Sequence, residues 1–130
     1  MEVFLGGTCN GSKWRDELIP LLNIDYFNPV VEDWNEEAQE EEIFKRETCD
    51  FILYVVTPLM EGFYSIAEMV DDSNKRPDET IVCFLSEDED KTWSKHQEKS
   101  IEATKELLES NGAIVLENLK EVAFILNEEI

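Results

Sequence analysis

Phe51-Ile52-Leu53-Tyr54-Val55-Val56 is a run of six apolar side chains with no polar residue interleaved. A strand with one wet face alternates, whereas a strand covered on both faces does not, so this run is expected at the centre of a parallel sheet. Upstream, residues 36–49 hold no Gly or Pro and are rich in helix formers, which predicts a helix despite the charge. Before it, Tyr26-Phe27 reads as a short strand stopped by Asn28-Pro29. Residues 12–22 read as a helix with Trp14, Leu18, Leu21 and Leu22 on one stripe, and residues 3–5 as a strand ended by Gly6-Gly7. Downstream, Pro58 and Gly62 mark a loop, followed by a helix over about 65–73 and a strand over 80–85. An acidic solvated loop is expected over 86–91, a helix over 95–110 stopped at Asn111-Gly112, a strand over 113–116 and a closing helix over 119–126.

Five strands alternating with five helices predict an α/β fold. The expectation is a five-stranded parallel sheet with helices on both faces, a flavodoxin- or Rossmann-like three-layer sandwich with right-handed crossovers. No repeat or interdomain linker interrupts the pattern, so residues 1–130 are expected to form a single domain. In such folds the ligand lies beyond the carboxyl ends of the strands, where the strand order switches.

The chain carries 11 basic against 31 acidic residues, a formal charge of −20, with 42% apolar residues. That apolar share is enough for a core, and the charge must lie on the surface. A field of this sign repels phosphate backbones and anionic headgroups, which argues against nucleic acid and membrane surfaces as partners. No apolar run approaches the roughly 20 residues of a membrane span, and Met1-Glu2-Val3-Phe4-Leu5 has neither a basic region nor a cleavage site, so a cytoplasmic location is expected. Cys9, Cys49 and Cys83 are few and far apart and read as buried thiols rather than a disulfide framework. His96 is the one histidine, so neither a metal site nor a Ser-His-Asp or Cys-His arrangement is expected. Any catalysis falls to carboxylates.

The loops after the first three strands hold the candidates. Gly6-Gly7-Thr8-Cys9-Asn10-Gly11-Ser12-Lys13 inverts the Ser and Lys order of a phosphate loop and lacks the dinucleotide fingerprint. It reads either as a glycine turn that lets a ligand approach the backbone or as a tight strand-to-helix turn with Ser12 as N-cap. Trp34 beside Asp33 suits stacking on a flat base, and equally suits packing over the next helix. Glu36 to Glu42 is a charge run of the kind that usually faces solvent, with Glu41–Lys45 and Glu42–Arg46 at i,i+4 spacing. Glu42 also shares a stripe with Ala38 and Cys49, which makes it a candidate acid. Ser65-x-x-Glu68 fits a capping box, and the same position puts Glu68 on the first turn of a helix at the ligand end of the central strand. There the helix N-terminus favours the ionised form that a nucleophile requires.

Taken together, Phe4-Leu5-Gly6-Gly7-Thr8, Asn28-Pro29 with Asp33-Trp34, Glu42 ahead of Cys49-Asp50-Phe51-Ile52-Leu53, and Tyr64-Ser65-Ile66-Ala67-Glu68 resemble the nucleoside 2-deoxyribosyltransferase family across nearly the whole chain. The spacing is the most specific part: Asp50 opens the strand, Glu42 lies eight residues before it and Glu68 eighteen after. The resemblance implies Glu68 as nucleophile, Glu42 as proton donor, and substrate contacts from Phe4, Gly6, Gly7, Thr8, Trp14, Asn28, Asp33, Trp34, Glu61, Tyr64 and Ser65. It implies no cofactor and no metal, a nucleoside and a free nucleobase as partners, and a homo-oligomer with contacts from Trp93 and residues 124–130. Two positions depart from the family pattern: Phe4 replaces a tyrosine that orients the nucleophile, and Gly62, with Glu61 beside it, replaces a sugar-contacting aspartate.

The implied reaction is cleavage or transfer of the N-glycosidic bond of a 2′-deoxynucleoside through a covalent deoxyribosyl-Glu intermediate. The −20 charge favours a neutral nucleoside over a phosphorylated one. Two other classes compete: a catalytically silent nucleoside- or nucleotide-binding module, and a flavodoxin-like FMN protein, which the first loop disfavours because it lacks alternating Thr and Gly.

Overall fold

The computed structural model describes residues 1–9, 11–31 and 34–128. In chain order the elements are β1 (Glu2–Gly7), α1 (Trp14–Leu18), β2 (Asp25–Phe27), α2 (Glu36–Thr48), β3 (Phe51–Val56), α3 (Tyr64–Lys75), β4 (Thr80–Phe84), β5 (Glu87–Asp88), β6 (Lys91–Thr92), α4 (Lys95–Ser110), β7 (Ile114–Leu116) and α5 (Leu119–Glu128). Five strands form one all-parallel sheet in the order β2-β1-β3-β4-β7, and the order switches between β1 and β3. This is the expected three-layer α/β sandwich.

Every residue of β3 is buried. Because successive side chains leave a strand on opposite faces, Leu53 and Val55 join Val3, Leu5, Ile81 and Cys83 under Trp14 and Leu18 of α1 and Val122 and Leu126 of α5. Ile52, Tyr54 and Val56 join Phe4, Val82 and Phe84 under Met69 of α3 and Leu108 of α4. Two closed cores therefore hold β1 and β3 side by side. Their carboxyl ends open at the same level.

Several local expectations change. The helix expected over 12–22 is α-helical only over Trp14–Leu18 and continues as a 3₁₀ turn, Ile19–Leu21, because Pro20 has no N–H to donate to an α-helical ladder. Leu21 consequently leaves the apolar stripe and is exposed. Ser12 is not the N-cap; its hydroxyl donates to Asp88 Oδ2 at 2.5 Å. The loop expected over 86–91 is a small antiparallel hairpin, with Asp88 opposite Lys91 and Glu89 at φ 56° in its turn. Opposite charges across the ladder and the tie to Ser12 order an acidic stretch that composition alone assigns to solvent. Cys49 and Cys83 are buried, but Cys9 is exposed.

Gly7 is the tightest backbone position at the sheet edge. Its φ is +112°, and a Cβ there would stand 2.2 Å from the Val55 carbonyl oxygen. We expect Gly7→Ala to lose about 1–3 kcal/mol from the strained φ alone, with the clash against β3 adding to it. Urea unfolding followed by circular dichroism would show a lowered midpoint, and an unchanged midpoint would contradict this account.

Candidate active site

Three loops at the carboxyl edge enclose a cavity of about 260 Å³. Its floor is Phe4 with the backbone of Gly6 and Gly7, and its rim is Pro29, Val30, Val31 and Trp34. One wall carries Arg15 and Cys9, and the other carries Glu42, Ser65 and Glu68. The cavity lies beside the β1–β3 switch, where an open α/β sheet leaves room for a ligand.

Each wall is positioned by identifiable local forces. Helix α2 is started by Asn35, whose side chain accepts from the Ala38 amide at 2.8 Å, and it projects Glu42 inward two turns later. Lys45 turns back to Glu2 at 3.0 Å rather than pairing along the helix with Glu41. Helix α3 opens at Tyr64, with Phe63 at the N-cap and no side-chain cap among the described residues. The capping box of Ser65 and Glu68 is therefore absent. Glu68 instead extends to the cavity with its side chain 13% exposed, and Arg46 Nη1 stands 3.6 Å from its Oε2. Arg15 is buried against the ring of Trp14; its Nε and Nη2 donate to the Leu5 carbonyl at 3.1 and 3.0 Å, and its Nη1 to the Thr8 carbonyl at 2.8 Å.

Of the residues singled out in the sequence, Phe4, Gly6, Gly7, Trp34, Glu42, Ser65 and Glu68 meet at this cavity. Thr8 and Trp14 do not line it. The Thr8 hydroxyl accepts from the Thr57 amide at 2.9 Å, and the Trp14 indole N–H donates to the Thr8 carbonyl at 2.8 Å, so both brace the loop from within the core. Asn28 folds its side-chain oxygen onto the Val30 amide at 3.1 Å, shaping the rim. Glu61 and Tyr64 are exposed just before and at the start of α3, outside the lining. Asp33 and Asn10 lie outside the described residues. Trp93 is tied by its indole N–H to the Leu85 carbonyl at 2.8 Å, while Phe124 on α5 is exposed.

Sequence reasoning passed over Arg15 and Arg46. Arg15 lies three residues before the buried Leu18, on the inward flank of α1, and that position was its signal. Arg46 has the i,i+4 spacing of a surface pair with Glu42, yet it reaches across to α3. Its signal was the stripe of Glu68, Asp71 and Asp72, which a helix covering a sheet cannot bury without a cation.

The electrostatics depart from the expectation of a helix N-terminus holding Glu68 ionised. Burial pushes its carboxyl above the ordinary glutamate range; Arg46 pulls it back, and the charges of Glu42 and Asp72 push it further up. Burial also raises Glu42, against the opposing pull of Arg46 and Arg15. The two carboxyls thus share a desolvated wall, close enough for the charge of one to act on the other. Among the described residues no three His, Cys, Asp or Glu side chains converge as a metal site requires.

The sequence pattern of a family described as nucleoside 2-deoxyribosyltransferase like matches residues 1–87. The chain belongs to that family. No curated protein matches it. The matched stretch runs from β1 to the start of the hairpin and contains every residue that lines the cavity, so this nucleoside 2-deoxyribosyltransferase-like domain carries its candidate site wholly within the family region. The remainder adds β7 to the same sheet and α5 to the core over α1.

The raised Glu42 carboxyl has a consequence for stability. The folded state holds that proton more tightly than the unfolded chain, so ionisation above the ordinary glutamate value of 4.5 costs folding free energy. Glu42→Gln should therefore gain stability over the parent as pH rises from 4.5 towards neutrality, with the difference vanishing in acid. Urea midpoints at pH 4 and pH 7 would check it, and a glutamine variant less stable at pH 7 would reverse the assignment.

Proposed function

We propose that this domain cleaves or transfers the N-glycosidic bond of a 2′-deoxynucleoside, with Glu68 as nucleophile and Glu42 as proton donor. The observation that carries this reading is the meeting of both carboxyls in one cavity at the switch of the sheet, in a chain of this family. A volume near 260 Å³ lies just below the range of ligand pockets, which run roughly 300–1,000 Å³. It suits one small molecule and not a polymer. The mixture of an aromatic floor and rim, Phe4 and Trp34, with paired carboxyls suits a flat base joined to a sugar.

A Glu68 carboxylate oxygen attacks C1′ as the C1′–N bond breaks. The electron pair of that bond leaves with the base, and Glu42 gives its proton to the departing nitrogen. The resulting deoxyribosyl ester is opened by a nitrogen of a second base or by water, whose proton returns to Glu42, as in retaining glycosidases. A raised Glu42 carboxyl favours the protonated form that this first step uses. Two acidic side chains at the wall and the overall charge of −20 favour an uncharged nucleoside. Residues 1–130 act as one unit in this reading, and the exposed Phe124 offers a contact for a second copy.

Glu68→Ala should abolish both hydrolysis and base exchange, measured by chromatography of a deoxynucleoside incubated with a different free base. Because Glu68 caps no helix among the described residues, its loss should leave the circular dichroism spectrum intact. Glu42→Gln should lower kcat by about 10²–10⁴-fold for ordinary bases and far less for a base that departs without protonation. Full turnover by the alanine variant would eliminate the mechanism, whereas saturable nucleoside binding without turnover by the parent would make the domain a binding module.

A further inference from the structure

Helix α2 turns one basic side chain away from solvent. Arg46 lies one turn after Glu42 and crosses to α3, where its Nε donates to Asp72 Oδ2 at 3.1 Å and to the Tyr54 phenol oxygen at 3.1 Å. Its Nη2 donates to Asp72 Oδ1 at 3.2 Å, to Asp71 Oδ2 at 3.2 Å and to the Glu68 main-chain oxygen at 3.3 Å. The Tyr54 hydroxyl in turn donates to Asp72 Oδ2 at 2.5 Å. Tyr54 is fully buried and Asp72 only 5% exposed, so the guanidinium is held from below by groups packed into the core.

The fork is spent on more than an ion pair. A buried aspartate needs one cation, and a guanidinium paired with Asp72 alone would meet that need. Here the same guanidinium also reaches the backbone and the carboxylate of Glu68, joining the helix that carries Glu42 to the turn that carries Glu68. Room for the Tyr54 ring comes from Gly6, where a Cβ would stand 3.0 Å from the ring carbons. Phe4, on the neighbouring strand and the same face, offers no hydroxyl to Glu68. An attacking carboxylate must be held in line with its target, and misplacement by about 1 Å can cost 10²-fold in rate.

We infer that Arg46, locked by Tyr54 and Asp72, is the positioning residue for Glu68, fixing that carboxylate at the cavity wall and balancing its charge. The inference rests on the reading of Glu68 as nucleophile. Among the described residues, the charged and titratable groups facing Glu68 are Arg46 and Glu42 from α2, Asp72 from α3 and Tyr54 from β3, with Arg15 and Cys9 across the same cavity. Arg46 acts on Glu68 more strongly than Asp72 does and in the opposite direction, so removing both charges together leaves the carboxyl easier to protonate.

The test uses Arg46→Gln and the double variant Arg46→Gln/Asp72→Asn. The double variant removes both charges and so guards against unfolding around an uncompensated Asp72. The Glu68 carboxyl carbon is followed by ¹³C NMR against pH, assigned with Glu68→Gln, alongside kcat and KM for a deoxynucleoside. In the folded double variant, the Glu68 titration and the acid limb of kcat/KM should both move to higher pH. Over the same comparison kcat should fall about 10²-fold with KM little changed. A Glu68 carboxyl that titrates as in the parent overturns the inference. A parent protein that turns over no deoxynucleoside defeats the proposed reaction and not the clamp, which the carboxyl titration decides by itself.

Discussion

Two carboxyls share one desolvated wall, and the fold must keep both there without forcing both to be neutral. Glu42 and Glu68 come from helices on the same side of the sheet, and burial raises each of them. Like charges at close range in a low dielectric are expensive. The Arg46 fork answers that cost, and it is effective because β3 supplies a rigid base for it. Tyr54 is one of six consecutive buried residues on that strand, and its hydroxyl fixes Asp72, which in turn fixes the guanidinium. The apolar run that makes a central strand therefore also anchors the polar network above it.

Much of the architecture was legible because it follows from periodicity. The unbroken apolar run of β3, the short runs on either side and the Asn111-Gly112 stop each carry one local signal, and tertiary structure agrees with them. The failures have physical causes. Pro20 shortened α1 because it lacks an N–H. The hairpin of β5 and β6 was unreadable because two-residue strands have no periodicity, and its order depends on a hydroxyl from Ser12.

The site was legible to the extent that loops after strands are legible. Seven of the predicted residues line the cavity, since they lie on β1 at its carboxyl end, in the loop that follows β2, or on the helices α2 and α3 that flank β3. Thr8 and Trp14 did not, because a loop that bends tightly enough to form a cavity must also satisfy backbone groups, and these side chains do that: the Thr8 hydroxyl accepts from the Thr57 amide and the Trp14 indole donates to the Thr8 carbonyl. Arg46 was hidden by an adequate local explanation. Its i,i+4 spacing to Glu42 reads as a surface pair, and only the third dimension brings Asp72 and Glu68 to the same guanidinium.

The same arginine gives the proposed reaction an economical charge balance. As Glu68 forms its ester it loses a negative charge, and as Glu42 protonates the departing base it gains one. The net charge of the wall is unchanged; it moves from α3 to α2. Arg46 lies one turn from Glu42 and against Glu68, and its charge favours the ionised form of either. It can therefore stabilise the nucleophile before attack and the spent acid after it without moving. A preorganised cation needs no reorganisation at the moment of reaction, which is the physical reason for a single cation whose charge acts on both carboxyls.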